Sequence, residues 1–340
     1  MEAASPMAYY LPVIWGALIA TAIALYVLLD GFDLGVGILF PFMKDEDERD
    51  QMMNSVAPFW DGNETWLILG GGGLWVAFPQ AYAVVMPGLY LPVILMLLSL
   101  VFRGVAFEFR TVAKPDHHIW DIAFSGGSLC AAFFQGVILG GLLDGIHVVD
   151  GVFAGGSFDW LRPFPILTGC GLVAGYALLG SGWLMMRTEG AVEEKARRFA
   201  LPALVTVLCF IVAASIWTGL TIPRITERWF NTDAIWFIWA VPFLTAGLAL
   251  MAARGIAANR GAMTFLSSVG IFLLAFIGLA ISNFPYLVPP HLTVWETAAV
   301  PEAQIFVLLG VIPFLPLILT YTAFVYWTFR GRVRPGEGYH

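Results

Sequence analysis

The sequence predicts an all-helical integral membrane protein that crosses the bilayer about nine times. Two observations carry this. Of 340 residues, 59% are hydrophobic and only 12% charged, whereas a soluble domain is nearer a quarter charged. The apolar residues also fall into runs of about 20, the length needed to cross about 30 Å of hydrocarbon. The runs are 8–30, 56–78, 81–103, 119–142, 163–186, 201–222, 235–253, 263–284 and 303–328. Spans two and three are separated by little more than Pro79-Gln80 and read as a tight antiparallel pair. The whole chain, 1–340, reads as one polytopic domain, without repeats or low-complexity segments.

Lys and Arg resist translocation, so short-loop charges set orientation. Basic residues gather at Lys44 and Arg49, at Arg110 and Lys114, at Arg187, Lys195, Arg197 and Arg198, at Arg254 and Arg260, and at Arg330, Arg332 and Arg334. These are alternate loops plus the C-terminus, which places the N-terminus outside and the C-terminus in the cytoplasm. The 43–53 loop is the weakest contributor, because its two basic residues sit among five acids. The first apolar stretch lacks a basic region before it and reads as a retained span. Trp60, Trp160, Trp183, Trp229 and Trp327 lie near span ends, as interfacial aromatics do.

Several chemistries are disfavoured. The net charge is −7 and there is no basic stripe, which argues against nucleic acid. Cys130, Cys170 and Cys209 each stand alone in an apolar run and read as small buried core residues. No CxxC or CxxCH spacing, HExxH motif or phosphate loop occurs. His117, His118, His147, His291 and His340 all fall outside span interiors, so no metal or haem ligand set is expected of this chain.

Ionisable groups at membrane depth mark function. Span one ends in Asp30-Gly31-Phe32-Asp33-Leu34-Gly35, span two begins Trp60-Asp61-Gly62-Asn63-Glu64-Thr65-Trp66, and span three ends in Arg103 followed by Glu108-Phe109-Arg110. The Asp30/Asp33 and Asp61/Glu64 spacings put each pair on one helix face. Carboxylates crowded at the edge of a low-dielectric region resist ionisation unless Arg103 or Arg110 neutralises them. Two readings stay open on the residues alone: a proton-uptake mouth, and an ion-paired network that pins three helix ends.

Gly70-Gly71-Gly72-Gly73 bares the middle of span two. It calls for close packing inside the chain, or for a cofactor or partner. Gly31/Gly35, Gly136/Gly140 and Gly171/Gly175 have the small-residue spacing of close helix contacts. The 143–162 loop, rich in Gly and Asp, reads as an ordered excursion. The 285–302 loop is aromatic and proline-rich, and caps the bundle or meets a partner.

Asp30-Gly-Phe-Asp33-Leu-Gly-Val-Gly37, Trp60-Asp-Gly-Asn-Glu-Thr-Trp-Leu67, Phe102-Arg103, Glu108-Phe109-Arg110 and Trp295-Glu296 resemble subunit II of the cytochrome bd quinol oxidases. The Asn63-Glu64-Thr65 form and the glycine run resemble its cyanide-insensitive branch. The resemblance implies two four-helix bundles plus one peripheral helix, paired pseudo-symmetrically with a haem-bearing subunit I. It implies a complex of the bacterial inner membrane that oxidises quinol and reduces dioxygen to water, with protons drawn from the cytoplasm. Haem b and haem d would reside in the partner, and none in this chain. A small accessory subunit, a structural quinone or a bound lipid would also be compatible. By the same resemblance Asp61 lies on a proton path, to which Glu64 would add a second carboxylate, and Trp66 lies near an oxygen route. From the residues themselves, Asp30, Asp33 and Glu108 are candidates for proton entry, and Arg103 reads as a counter-charge. A secondary transporter using buried carboxylates, and a purely structural membrane subunit, are the alternatives from other classes.

Overall fold

The computed structural model describes residues 6–113, 117–231, 235–334 and 336. Lys114 and His340 therefore lie outside the described residues. Twelve helices are present among them. They are α1 (Pro6–Leu39), α2 (Glu46–Val56), α3 (Trp60–Ala77), α4 (Pro79–Gly88), α5 (Tyr90–Val112), α6 (His118–Asp144), α7 (Pro163–Arg187), α8 (Ala191–Thr221), α9 (Pro223–Phe230), α10 (Ile235–Ala257), α11 (Gly261–Asn283) and α12 (Pro301–Thr328). Eight are long and apolar enough to cross a membrane: α1, α5, α6, α7, α8, α10, α11 and α12. The segment expected as a second span is α3, which has 18 residues; its polar first turns and glycine run leave it outside those eight.

Helices α1, α3, α5 and α6 pack as one group, α7, α8, α10 and α11 as a second, and α7 joins the groups by lying against both α1 and α6. Helix α12 touches only α1 and α3 to any extent.

Four expected boundaries move, one of them the start of span six, where α8 begins at Ala191 and not at 201. Helix α1 continues to Leu39 instead of stopping at residue 30, so Asp30 sits nine residues, about 14 Å, inside its end. The helix can continue because both its carboxylates are partnered across the bundle. The expected third span, 81–103, is two helices. Gly88 ends α4, Leu89 leaves helical geometry at φ −123°, and α5 then runs on through Arg103 to Val112. The apolar run crosses this break without interruption, so hydropathy conceals it. The 43–53 loop contains α2, whose first turn carries Glu46, Asp47 and Glu48 against the helix dipole.

Small residues make the inter-helix contacts. Gly35 of α1 lies against the Tyr176 carbonyl and the Gly180 backbone of α7. Gly136 of α6 backs onto Thr168 and Gly169 of α7, and Gly175 meets Phe272 of α11. Without a hydrophobic drive between helices in lipid, this close backbone approach supplies the packing. The glycine run divides. Gly70 and Gly73 receive Ile23 and Ile19 of α1, whereas Gly71 and Gly72 face open space. Cys130, Cys170 and Cys209 are exposed, contrary to the expected burial. In a membrane protein an apolar thiol can face lipid as readily as core.

The basic residues of alternate loops meet at one end. Arg110 is held by Asp121 (2.6 Å), Glu46 (2.8 Å) and Asp50, Arg49 by Asp121 (2.8 Å), and Lys195 by Glu48 (2.6 Å). At the other end, the 143–162 excursion is a hairpin, β1 (Val148–Val149) with β2 (Val152–Phe153), turned at Asp150-Gly151 with both residues at positive φ. The 285–302 loop forms a second hairpin, β3 (Tyr286–Val288) with β4 (Leu292–Thr293). It caps the bundle: Trp295 stacks on Tyr9 at 5.3 Å, and the Ala299 amide donates to the Ala77 carbonyl at 2.9 Å.

Glu296 in this cap accepts hydrogen bonds from the Thr293 amide and hydroxyl, each 2.7 Å. Those donors hold its carboxyl below the usual carboxylate range. A depressed native value contributes stability above the unfolded value of about 4.3, and that contribution is lost as pH falls through the native value. Acidification is therefore expected to speed hydrogen exchange at the Thr293 amide, and Glu296→Gln is expected to remove this acid dependence. An unchanged acid response in that variant would show that the turn does not depend on the carboxylate.

Candidate functional site

The site lies where α1, α3 and α5 converge. On α3, Asn63, Trp66, Gly70, Gly73 and Ala77 form the buried stripe, with the three- and four-residue spacing of one helix face. Asp61, Thr65 and Ile68 fall on the opposite, exposed face.

Asp30 and Arg103 are both wholly buried, and Arg103 Nη1 donates to Asp30 Oδ1 at 2.5 Å. The guanidinium also lies over the Trp60 ring, 5.8 Å from its centre. Arg103 Nε and Nη2, Asp30 Oδ2 and Asp33 Oδ1 make no hydrogen bond among the described residues. A buried charge is tolerated only when paired, so this pair holds α1 and α5 in register. Asp33, also wholly buried, accepts from Asn63 Nδ2 at 2.7 Å, and the Tyr326 hydroxyl of α12 donates to Asn63 Oδ1 at 2.9 Å. A second polar chain enters from the far side: the Tyr176 hydroxyl donates to Gln135 Oε1 at 2.7 Å, and Gln135 Nε2 to the Tyr26 hydroxyl at 2.5 Å. Tyr26 precedes Asp30 by one helical turn.

The structure thus divides the expected residues. Asp30, Asp33 and Arg103 come together in the interior and not at helix ends. Asp61 and half-buried Glu64 line a groove of about 320 Å³ between α3 and α5, with Trp60, Thr65, Leu100 and Gly104. Glu64 is near enough to Arg103 and Asp30 to feel their charges. Trp66 is buried against Ala22 and Tyr26. Glu108 is exposed and makes no contact with the cluster, and Arg110 belongs to the separate network at the basic end. Sequence reasoning missed Asn63, Tyr26, Gln135, Tyr176 and Tyr326. The buried stripe would have revealed Asn63, since it stands three residues before Trp66. The other four are single polar residues in apolar runs.

The arrangement offers a graded series of carboxylates, from the groove to a buried ion pair, suited to holding and passing protons. It does not fit haem ligation. Of the described histidines, His117 bonds Glu46 at 2.8 Å, the other three are exposed, and none lies in a helix interior. Among the described residues no three His, Cys, Asp or Glu gather as a metal site.

Comparison with known proteins agrees with this architecture. The chain is 31% identical to the Escherichia coli K12 protein named cytochrome bd-I ubiquinol oxidase subunit 2, over 94% of each chain. It is 30% identical to the probable cytochrome oxidase subunit 2 of Haemophilus influenzae (95% of each), and 29% identical to the cytochrome bd ubiquinol oxidase subunit 2 of Bacillus subtilis (95% of this chain, 97% of that one). The fold is shared with the bd oxidase structure from Geobacillus thermodenitrificans, at TM-score 0.80 and 15% identity, over 94% of this chain and 98% of that one. The family model for cytochrome bd terminal oxidase subunit II matches residues 11–329, and the chain belongs to that family.

Proposed function

We propose that the chain is subunit II of a membrane complex that oxidises quinol and reduces dioxygen to water, and that it supplies part of the proton path. The observation that carries the first half is the family match over residues 11–329. The haems would be held by subunit I, in keeping with the positions of the histidines here, and would supply the electron transfer and oxygen chemistry. The complex would sit in the bacterial inner membrane as one polytopic unit on this side, with the basic end cytoplasmic. A small accessory subunit, a bound quinone or a structural lipid would complete it.

The groove carries the second half of the reading. Asp61 stands at its exposed wall, Glu64 stands deeper, and Asp30, Asp33 and Arg103 lie behind. A proton taken up at Asp61 would pass to Glu64, with the buried pair setting the local field. Trp66 would border the oxygen route as a rigid apolar wall. Glu108, one helical turn beyond Gly104 and Val105 on the same face of α5, would serve uptake at the surface.

Purification of the chain with its partner and a reduced-minus-oxidised spectrum tests the first half; a colourless protein without a haem-bearing partner would overturn it. For the second, Asp61→Asn is expected to keep the haem spectrum and slow oxygen reduction by about tenfold or more, since a positioned proton-transfer group contributes on the order of 10²–10⁴ in rate. Full assembly with wild-type turnover would remove Asp61 from the path.

A further inference from the structure

The hydrogen bonds around Asn63 are fully specified, and one comes from a helix that otherwise barely joins the bundle. Asn63 is 1% exposed. Its Nδ2 donates to the Leu29 carbonyl at 3.2 Å and to Asp33 Oδ2 at 2.7 Å, while its oxygen accepts from Tyr326 at 2.9 Å. An amide has two donors on one side and an acceptor on the other, so this set defines a single orientation. Turned over, the amide would put its oxygen against the Leu29 carbonyl and the Asp33 carboxylate.

We infer that Tyr326 is a positioning residue, which from α12 fixes the Asn63 amide with its N–H group toward the Asp33 carboxylate. Only 6% of the spanning stretch of α12 is buried, yet Tyr326 stacks on Phe59 at 4.5 Å and meets Phe32 edge-on at 6.4 Å. These rings hold the hydroxyl in place and would hold a phenylalanine equally well. Without the hydroxyl, Asn63 Oδ1 is a buried acceptor lacking a donor, which is costly. Released from that constraint, the amide no longer presents a fixed N–H group to the Asp33 carboxylate and stabilises its charged form less. Loss of one hydroxyl on α12 therefore favours the protonated carboxyl two side chains away. The charged and titratable groups around Asp33 are Asp30 on its own helix, Glu64 of α3, Arg103 of α5 and Tyr326 of α12, with Arg187 of α7 beyond Tyr326. Tyr326→Phe leaves every other member in place.

The effect on turnover rests on the proton-path reading above; the effect on Asp33 does not. The test uses the purified complex and two readouts: the infrared carboxyl band that Asp33→Asn removes, titrated against pH, and the pH profile of oxygen reduction. Tyr326→Phe is expected to move both midpoints upward by about half to one pH unit, as loss of a donor to a carboxylate does. Asn63→Leu, which removes the amide itself, should move the same band and identifies it if Asp33→Asn does not assemble. A shifted band with an unshifted turnover profile upholds the positioning role and takes Asp33 off the proton path. An unshifted band, whatever turnover does, overturns the inference.

Discussion

Arg103→Met is expected to remove most of the assembled complex from the membrane. The substitution leaves Asp30, wholly buried, without its ion-pair partner. Breaking a buried pair from one side costs about 3–5 kcal/mol, because the remaining charge has neither water nor counter-charge. That is a large share of the 5–15 kcal/mol typical of a folded protein. Lysine is not an adequate substitute, because a compact ammonium lacks the planar guanidinium that here bonds Asp30 through Nη1 and lies over Trp60. The double variant Arg103→Met with Asp30→Asn removes both charges together and should recover much of the loss. The measurement is haem-bearing complex per milligram of membrane, by difference spectrum. Wild-type recovery of the single variant would show that the pair does not hold α1 to α5. Recovery of assembly without turnover in the double variant would separate structural pairing from the role in proton movement.

Gly35→Val is expected to abolish assembly by a different route. A Cβ at residue 35 collides with the Tyr176 carbonyl oxygen and comes within 2.8 Å of the Gly180 amide nitrogen. Both are backbone atoms of α7, so relief requires moving a helix instead of rotating a side chain. Overpacking typically costs 1–3 kcal/mol when side chains can shift, and here the cost should exceed that range. Gly16→Ala is the matched control. It lies on the same helix with nothing within 4 Å of its added carbon, and alanine improves helix propensity by about 1 kcal/mol. The thermal midpoint of the purified complex should be unchanged or higher for Gly16→Ala, while Gly35→Val yields no complex. A stable Gly35→Val complex would mean that α1 and α7 sit farther apart than described.

The fold class was legible because composition and run length respond to the bilayer itself, and these need no tertiary information. The site was legible as a set of residues but not as a place. Sequence reading ends a span at its first charge, so Asp30 and Arg103 became helix ends. What moves them inward is a partner 73 residues away in the chain, which no local window contains. Asp61 drew attention as an acid in a conspicuous motif, yet the residue of that motif facing the buried carboxylates is Asn63. The cysteines were misplaced for a related reason: burial in lipid and burial in protein leave the same apolar pattern. The small-residue spacings fared better, since Gly35, Gly136 and Gly175 signal close approach wherever the partner helix lies.

The attachment of α12 also bears on the order in which the chain is built. Its links and those of the segment behind it reach across nearly the full sequence: from α12, Trp15 to Gln304 spans 289 residues and Tyr326 to Asn63 spans 263, and beyond α12, Gln51 to Val333 spans 282. During synthesis at about 5–20 residues per second, α1 and α3 wait many seconds in the membrane before their last neighbour is made. Until then Trp15 and Asn63 lack their final hydrogen-bond partners, and the crevice between α1 and α3 at Trp15, Ala22 and Trp66, which Val311 and Leu315 of α12 line from the other side, stands open to lipid. Docking of α12 is thus a closing step of biogenesis, a seam sewn between the earliest and latest parts of the nascent chain, and ribosome-stalled chains ending before residue 301 should show the Asn63 side of α3 accessible to crosslinkers that the full chain excludes.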